Sequence, residues 1–225
     1  LSAGDDIWAN NGVINARNDI TMNANNNIDA MDITTTNGNI TINADNDLSG
    51  VGNFTLQAGN NINTNGGNLT IRGQSIPMND DVVTSGGIAT LTANRAGTGA
   101  GILNFNNDAK ILTSNGNINL TAADFTMNGV GLSGLDAGTG DVSITENGIT
   151  DANDVYLDNA FYIKGRNLTV TSNHDYDQRG SSTVNMTGTI NITANDDFNI
   201  SGGASMTGSA ITASAADTFT INGST

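Results

Sequence analysis

The densest run of chemically useful side chains is Asn173-His174-Asp175-Tyr176-Asp177-Gln178-Arg179, which carries the only histidine of the chain. Read as a surface loop, His174, Asp175, Tyr176, Asp177 and Arg179 form a ligand-contact set: Tyr176 as a stacking platform, the carboxylates and the guanidinium as hydrogen-bonding groups for a carbohydrate. A plain solvated loop uses the same residue types. Lys164 and Arg166 make the one close basic pair. A polysaccharide lyase needs such a base beside carboxylates that hold a cation, whereas two residues at strand spacing describe an exposed strand face. An inverting glycosidase needs two carboxylates roughly 6.5 to 9.5 Å apart, and scattered aspartates at turns do not specify that separation. No catalytic residues are assigned, and no enzyme activity is expected. Hard cations favour oxygen ligands, so Asp5-Asp6, Asp45-Asn46-Asp47, Asp80-Asp81 and Asp196-Asp197 are places where structural calcium would sit. Their spacing matches neither an EF-hand loop nor the glycine-rich calcium nonapeptide, so no cofactor or metal is expected.

Composition narrows the partners. The formal charge is −15, and the seven basic residues Arg17, Arg72, Arg95, Lys110, Lys164, Arg166 and Arg179 are spread singly. Nucleic-acid binding needs clustered cations on phosphates, so it is not expected. The same charge disfavours an anionic membrane surface, and no apolar run approaches the roughly 20 residues of a spanning helix. Cysteine is absent, which removes disulfides and thiolate chemistry. Leu1 falls inside a running repeat without a signal-like segment, so the chain reads as one continuous segment, 1–225, of a longer rod whose secretion signal lies elsewhere.

The elements that position these residues follow from a short recurring core: a turn residue, an apolar residue, a small polar residue, an apolar residue. It appears as Asp19-Ile20-Thr21-Met22, Asn39-Ile40-Thr41-Ile42, Asn68-Leu69-Thr70-Ile71, Asn117-Ile118-Asn119-Leu120, Asn167-Leu168-Thr169-Val170 and Asp197-Phe198-Asn199-Ile200, among others. Alternation with period two predicts strands. Strands this short must stack on their equivalents in the next coil, about 4.8 Å away. The expected fold is therefore all-β, a right-handed parallel β-helix of about 20 residues per coil, with aliphatic columns inside and threonine columns outside. Asn-Gly pairs such as Asn37-Gly38, Asn65-Gly66 and Asn115-Gly116 mark corners that need φ > 0, and stacked asparagines would form amide ladders. Residues 72–86, 94–101, 129–141 and 173–183 break the rhythm and are expected as extruded loops.

The stretches Gly38-Asn39-Ile40-Thr41-Ile42-Asn43-Ala44, Gly67-Asn68-Leu69-Thr70-Ile71 and Gly116-Asn117-Ile118-Asn119-Leu120-Thr121-Ala122 resemble the repeat regions of filamentous-haemagglutinin-like exoproteins. That resemblance implies a β-helical shaft exported by two-partner secretion, at the cell surface or in the medium, acting in attachment or presenting a distal tip. The implied partner is a receptor or glycan on a host or neighbouring cell. A self-assembling extracellular filament, with self-association through end coils or side faces, and a β-helix carbohydrate-active enzyme are the alternative readings.

Overall fold

The computed structural model describes every residue except 10, 11, 130–132, 151, 153, 224 and 225. The chain winds through three parallel sheets in strict rotation, visiting the first, second and third sheet once per coil. The first two sheets hold 10 strands each and the third holds 9, so the molecule is a β-solenoid of about ten turns. Coil length varies. Asn39 stands 20 residues beyond its rung partner Asp19, whereas Asn68 stands 29 residues beyond Asn39.

Alternation is what makes the coil close. In the strand Ile118–Ala122 the first, third and fifth residues are buried and the others are not. Stacking aligns these inward residues into columns: Ile20, Ile40, Leu69, Ala89, Ile118, Val142, Leu168 and Ile190 lie on successive rungs of the first sheet. Each is at most 7% exposed. Fully burying an Ile or Leu is worth about 1.5–3 kcal/mol, which a strand of two to six residues gains only when its neighbours are in place.

The corner leading into the first sheet is built by a recurring Thr-x-x-Gly module, followed by Asn in three of the four copies below and by Ile88 in the other. Thr35, Thr64, Thr84 and Thr113 are fully buried, and their hydroxyls donate to the carbonyls of Gly38, Gly67, Gly87 and Gly116. These threonines face inward, unlike the outward column Thr41, Thr70 and Thr90. The glycines stack on one another: a Cβ on Gly67, Gly87 or Gly116 would overlap the backbone carbonyl of the glycine one coil below. Of the Asn-Gly pairs, Asn65-Gly66 does take φ > 0 at both residues, at 49° and 108°. Gly38 and Gly116 do not, so close stacking and not handedness requires them. Next along the chain, an Asx oxygen accepts the amide of the following rung. Asn39 binds to Asp19 at 2.7 Å, Asn68 to Asn39 at 2.9 Å, Ile88 to Asn68 at 2.8 Å, Asp141 to Asn117 at 2.9 Å and Thr189 to Asn167 at 2.9 Å. At this corner the ladder runs from side chain to backbone, while amide-to-amide steps of the expected kind join Asn43 to Asn23, Asn106 to Asn79 and Asn159 to Asn128.

Three of the four expected loops carry strands. Residues 72–86 contain Ile76–Met78 and Val82–Val83, because Ile76 and Met78 are buried while Pro77 points outward. Residues 173–183 contain Asp175–Gln178, and 129–141 contain Gly134–Asp136, with 130–132 outside the described residues. Only 94–101 is strand-free throughout. Its counterpart, between Asn43 and Phe54, leaves the same corner and was not expected. Arg95 joins the two, donating to the Ala44 carbonyl at 2.9 Å and to Asn46 Oδ1 at 3.2 Å.

Candidate functional site

The segment expected to bind ligand is split by the pleat. Tyr176 takes the inward phase, is fully buried, and stacks on Phe198 with ring centroids 5.4 Å apart. Phe198 stacks in turn on Phe219 at 4.6 Å. Tyr176 is thus a core residue and no sugar platform; its hydroxyl donates to Gln178 Oε1 at 3.2 Å, and burial pushes that hydroxyl far above the ordinary tyrosine range. Asp175 and Asp177 occupy the outward phase of the same strand, Asp175–Gln178, and Arg179 follows its end. Asp177 forms an ion pair with Arg179, and the guanidinium lies 5.2 Å from the ring of Tyr156.

Tyr156 is the aromatic side chain that this face actually presents. It is the rung partner of Asp177 and donates to Asp158 Oδ2 at 2.6 Å. Val155 and Leu157 on either side of it are buried, so the alternation Val-Tyr-Leu was the sequence signal that placed it outside. His174 belongs to a different environment, at the corner between the first and second sheets. There Glu146, the only glutamate, stands in an inward column otherwise filled by Ala122, Ser172 and Ala194. Its carboxylate accepts the Asn173 amide at 2.7 Å, the Ser172 hydroxyl at 3.0 Å, the His174 amide at 3.2 Å and the Gly148 amide. His174 Nδ1 is 3.5 Å from the same carboxylate without a hydrogen bond. Serine, histidine and a carboxylate meet here, but the Ser172 hydroxyl points at Glu146 and is fully buried, so the group closes a corner and has no nucleophile to offer.

Asp124, Asp154, Asp175 and Asp197 lie on successive rungs of the second sheet. Asp124 accepts the Asp154 amide at 3.2 Å and Asp175 accepts the Asp197 amide at 2.9 Å. Stacking carboxylates at rung distance disfavours full ionisation. Desolvation, reinforced by Asp175 and Asp177, raises Asp154 to about 6; burial also raises Asp124 and Asp175. Asp141 goes the other way, because Arg166 donates to it at 2.9 and 2.7 Å and holds its carboxyl below the usual range. Lys164 instead lies over the ring of Tyr162, 4.8 Å from its centroid.

The acidic pairs considered for calcium accept backbone amides: Asp6 that of Asn27, Asp80 that of Gly59 and Asp197 that of Thr218 between coils, and Asp45 that of Gly50 within its own loop. Among the described residues no three His, Cys, Asp or Glu side chains converge as a metal site would require. No protein-family model, curated protein or solved structure matches the chain.

Proposed function

We propose that this segment is a shaft: a rigid spacer in an extracellular or cell-surface exoprotein of adhesin type, which holds a binding or effector tip away from its anchor. The observation that carries this reading is the continuity of the three parallel ladders and of one apolar core through about ten coils. In such a solenoid each coil is held by its neighbours, so stiffness is a property of the whole length. Polar columns of Thr, Asn and Asp on the outside suit a long, water-exposed surface, and the net charge of −15 favours solubility. Export and attachment rest on the resemblance of the Gly-Asn-Ile-Thr-Ile repeats to filamentous-haemagglutinin-like exoproteins.

The test is made on cells that produce the parent protein. Antibodies raised against the exposed loop between Asn43 and Phe54 are applied to intact and to permeabilised cells. Labelling of intact cells, lost after external protease treatment that leaves cytoplasmic markers whole, supports the reading. Labelling only after permeabilisation refutes it.

A further inference from the structure

The chain has only two lysines, Lys110 and Lys164, and both line one groove. The groove lies on the outer face of the third sheet, has a volume of about 370 Å³, and is completed by Tyr162, Ala160, Ser181 and Thr183. Register explains why these residues meet. Lys110, Gly134 and Tyr162 occupy successive rungs, and Lys164 follows Tyr162 on the same face of its strand. Gly134 has no side chain to occupy the rung between, and a Cβ there would stand 2.6 Å from Tyr162 Cδ1. The tyrosine ring therefore lies down over the backbone of that rung, toward Lys110. Lys164 Nζ hangs over the ring, 4.8 Å from its centroid. Among the described residues neither ammonium has a carboxylate within ion-pair distance, in contrast to Arg166 and Arg179.

We propose that this groove binds a saccharide carrying a carboxylate, with the pyranose C–H face against Tyr162 and the carboxylate held by the ammoniums of Lys110 and Lys164. The face of the Tyr162 ring that Lys164 covers takes the apolar face of a sugar once that ammonium turns to the anion, and two ammoniums without an ion-pair partner take the carboxylate. A ligand that offers both at once, at the size of one or two rings, fits a groove of this volume. Asp81 and Asp136 lie close enough to raise the Tyr162 hydroxyl beyond what burial alone does, and the chain as a whole carries −15. Both repel long polyanions, so the ligand is a terminal acidic sugar or a short oligosaccharide. Lys164 has only its exposed cation–π contact to give up when such a ligand enters. The inference rests on this groove alone and stands apart from the reading of the molecule as a shaft.

Having two lysines gives the test its readout. Reductive methylation with ¹³C-formaldehyde keeps the charge and labels Lys110, Lys164 and the amino terminus, and the labelled chain is titrated with methyl galacturonide. Both lysine signals should shift saturably while the amino-terminal signal stays fixed. Lys110→Gln and Lys164→Gln should each weaken binding about tenfold, as loss of one charge-assisted contact does. Thr183→Trp fills the groove from an exposed rung neighbour of Tyr162 and should abolish binding with unchanged melting, which separates a lost site from a lost fold. Methyl galactoside and sodium acetate, each supplying half of the ligand, should not saturate. No saturable shift with the uronide, an equal response to acetate, or undiminished binding in Thr183→Trp would overturn the proposal.

Discussion

Replacing Gly87 by alanine tests the stacked corner directly. A Cβ on Gly87 would lie 2.5 Å from the carbonyl carbon of Gly67 and closer still to its oxygen, and both belong to the backbone. Neither can rotate away, so the two coils must part locally. Parting strains the amide of Ile88, which donates to Asn68 Oδ1 at 2.8 Å, and that of Leu69, which donates to the Ile88 carbonyl at 2.8 Å. Two hydrogen bonds at about 1 kcal/mol each and overpacking of about 1–3 kcal/mol give a cost of about 3–5 kcal/mol. Because a solenoid is stabilised coil by coil, the loss is local and is best read by hydrogen exchange at Leu69, Ile88 and Ala89, beside urea unfolding followed by circular dichroism. Gly4→Ala, where a Cβ meets nothing within 4 Å, is the control and should stay within about 0.5 kcal/mol. A Gly87→Ala chain with wild-type exchange at those amides refutes the stacking argument.

Further expectations follow from the site geometry. Tyr176→Ala should cost about 3–5 kcal/mol in urea unfolding, as core aromatics do, whereas Tyr156→Ala on the outer face should cost less than about 1 kcal/mol; the reverse order would mean the strand phase is wrong. Glu146→Ala removes the acceptor of the Asn173 amide and leaves the buried His174 amide only the Ser172 hydroxyl at 3.4 Å, and should lower stability by about 1–3 kcal/mol, read as faster exchange at those two amides. Asp154 binds its proton more tightly folded than unfolded, so its contribution favours the fold at acidic pH and is lost as pH rises through about 6. Exchange in the rungs around Asp154, corrected for intrinsic rates, should therefore be slower at pH 5 than at pH 7.5, and Asp154→Asn should remove most of the difference.

Much of this fold was legible because the alternation in Asn39-Ile40-Thr41-Ile42 and its relatives dictates a buried and an exposed face. What alternation does not give is phase in a segment rich in polar residues. In Asp175-Tyr176-Asp177-Gln178 the polar letters outweighed the pattern, although Tyr176 and Phe198 are rung partners in one inward column. Loop reading failed for a similar reason: Pro77 suggested a break, while Ile76 and Met78 in fact keep the strand. The buried threonines were hidden because Thr-x-x-Gly looks like an ordinary turn until the Thr35 hydroxyl is seen donating to the carbonyls of Gly38 and Thr64. Rung-to-rung neighbours 20 to 30 residues apart, such as Asp124 and Asp154 or Gly134 and Tyr162, depend on coil length, which varies along the chain and cannot be counted from composition.

In-register parallel stacking is measured most directly by spin-label distances along the outer column of the first sheet, in a chain with no native cysteine to confuse the labelling. Thr41, Thr70, Thr90, Asn119, Ser143, Thr169 and Asn191 are successive rung partners. Labels at Thr41→Cys and Asn191→Cys should lie about 29 Å apart, and labels at Thr90→Cys and Asn191→Cys about 19 Å apart, at roughly 4.8 Å per rung. Narrow distributions at those two distances are the predicted result. A pair of distances that does not scale with the number of rungs, or broad distributions spanning tens of ångströms, would contradict it.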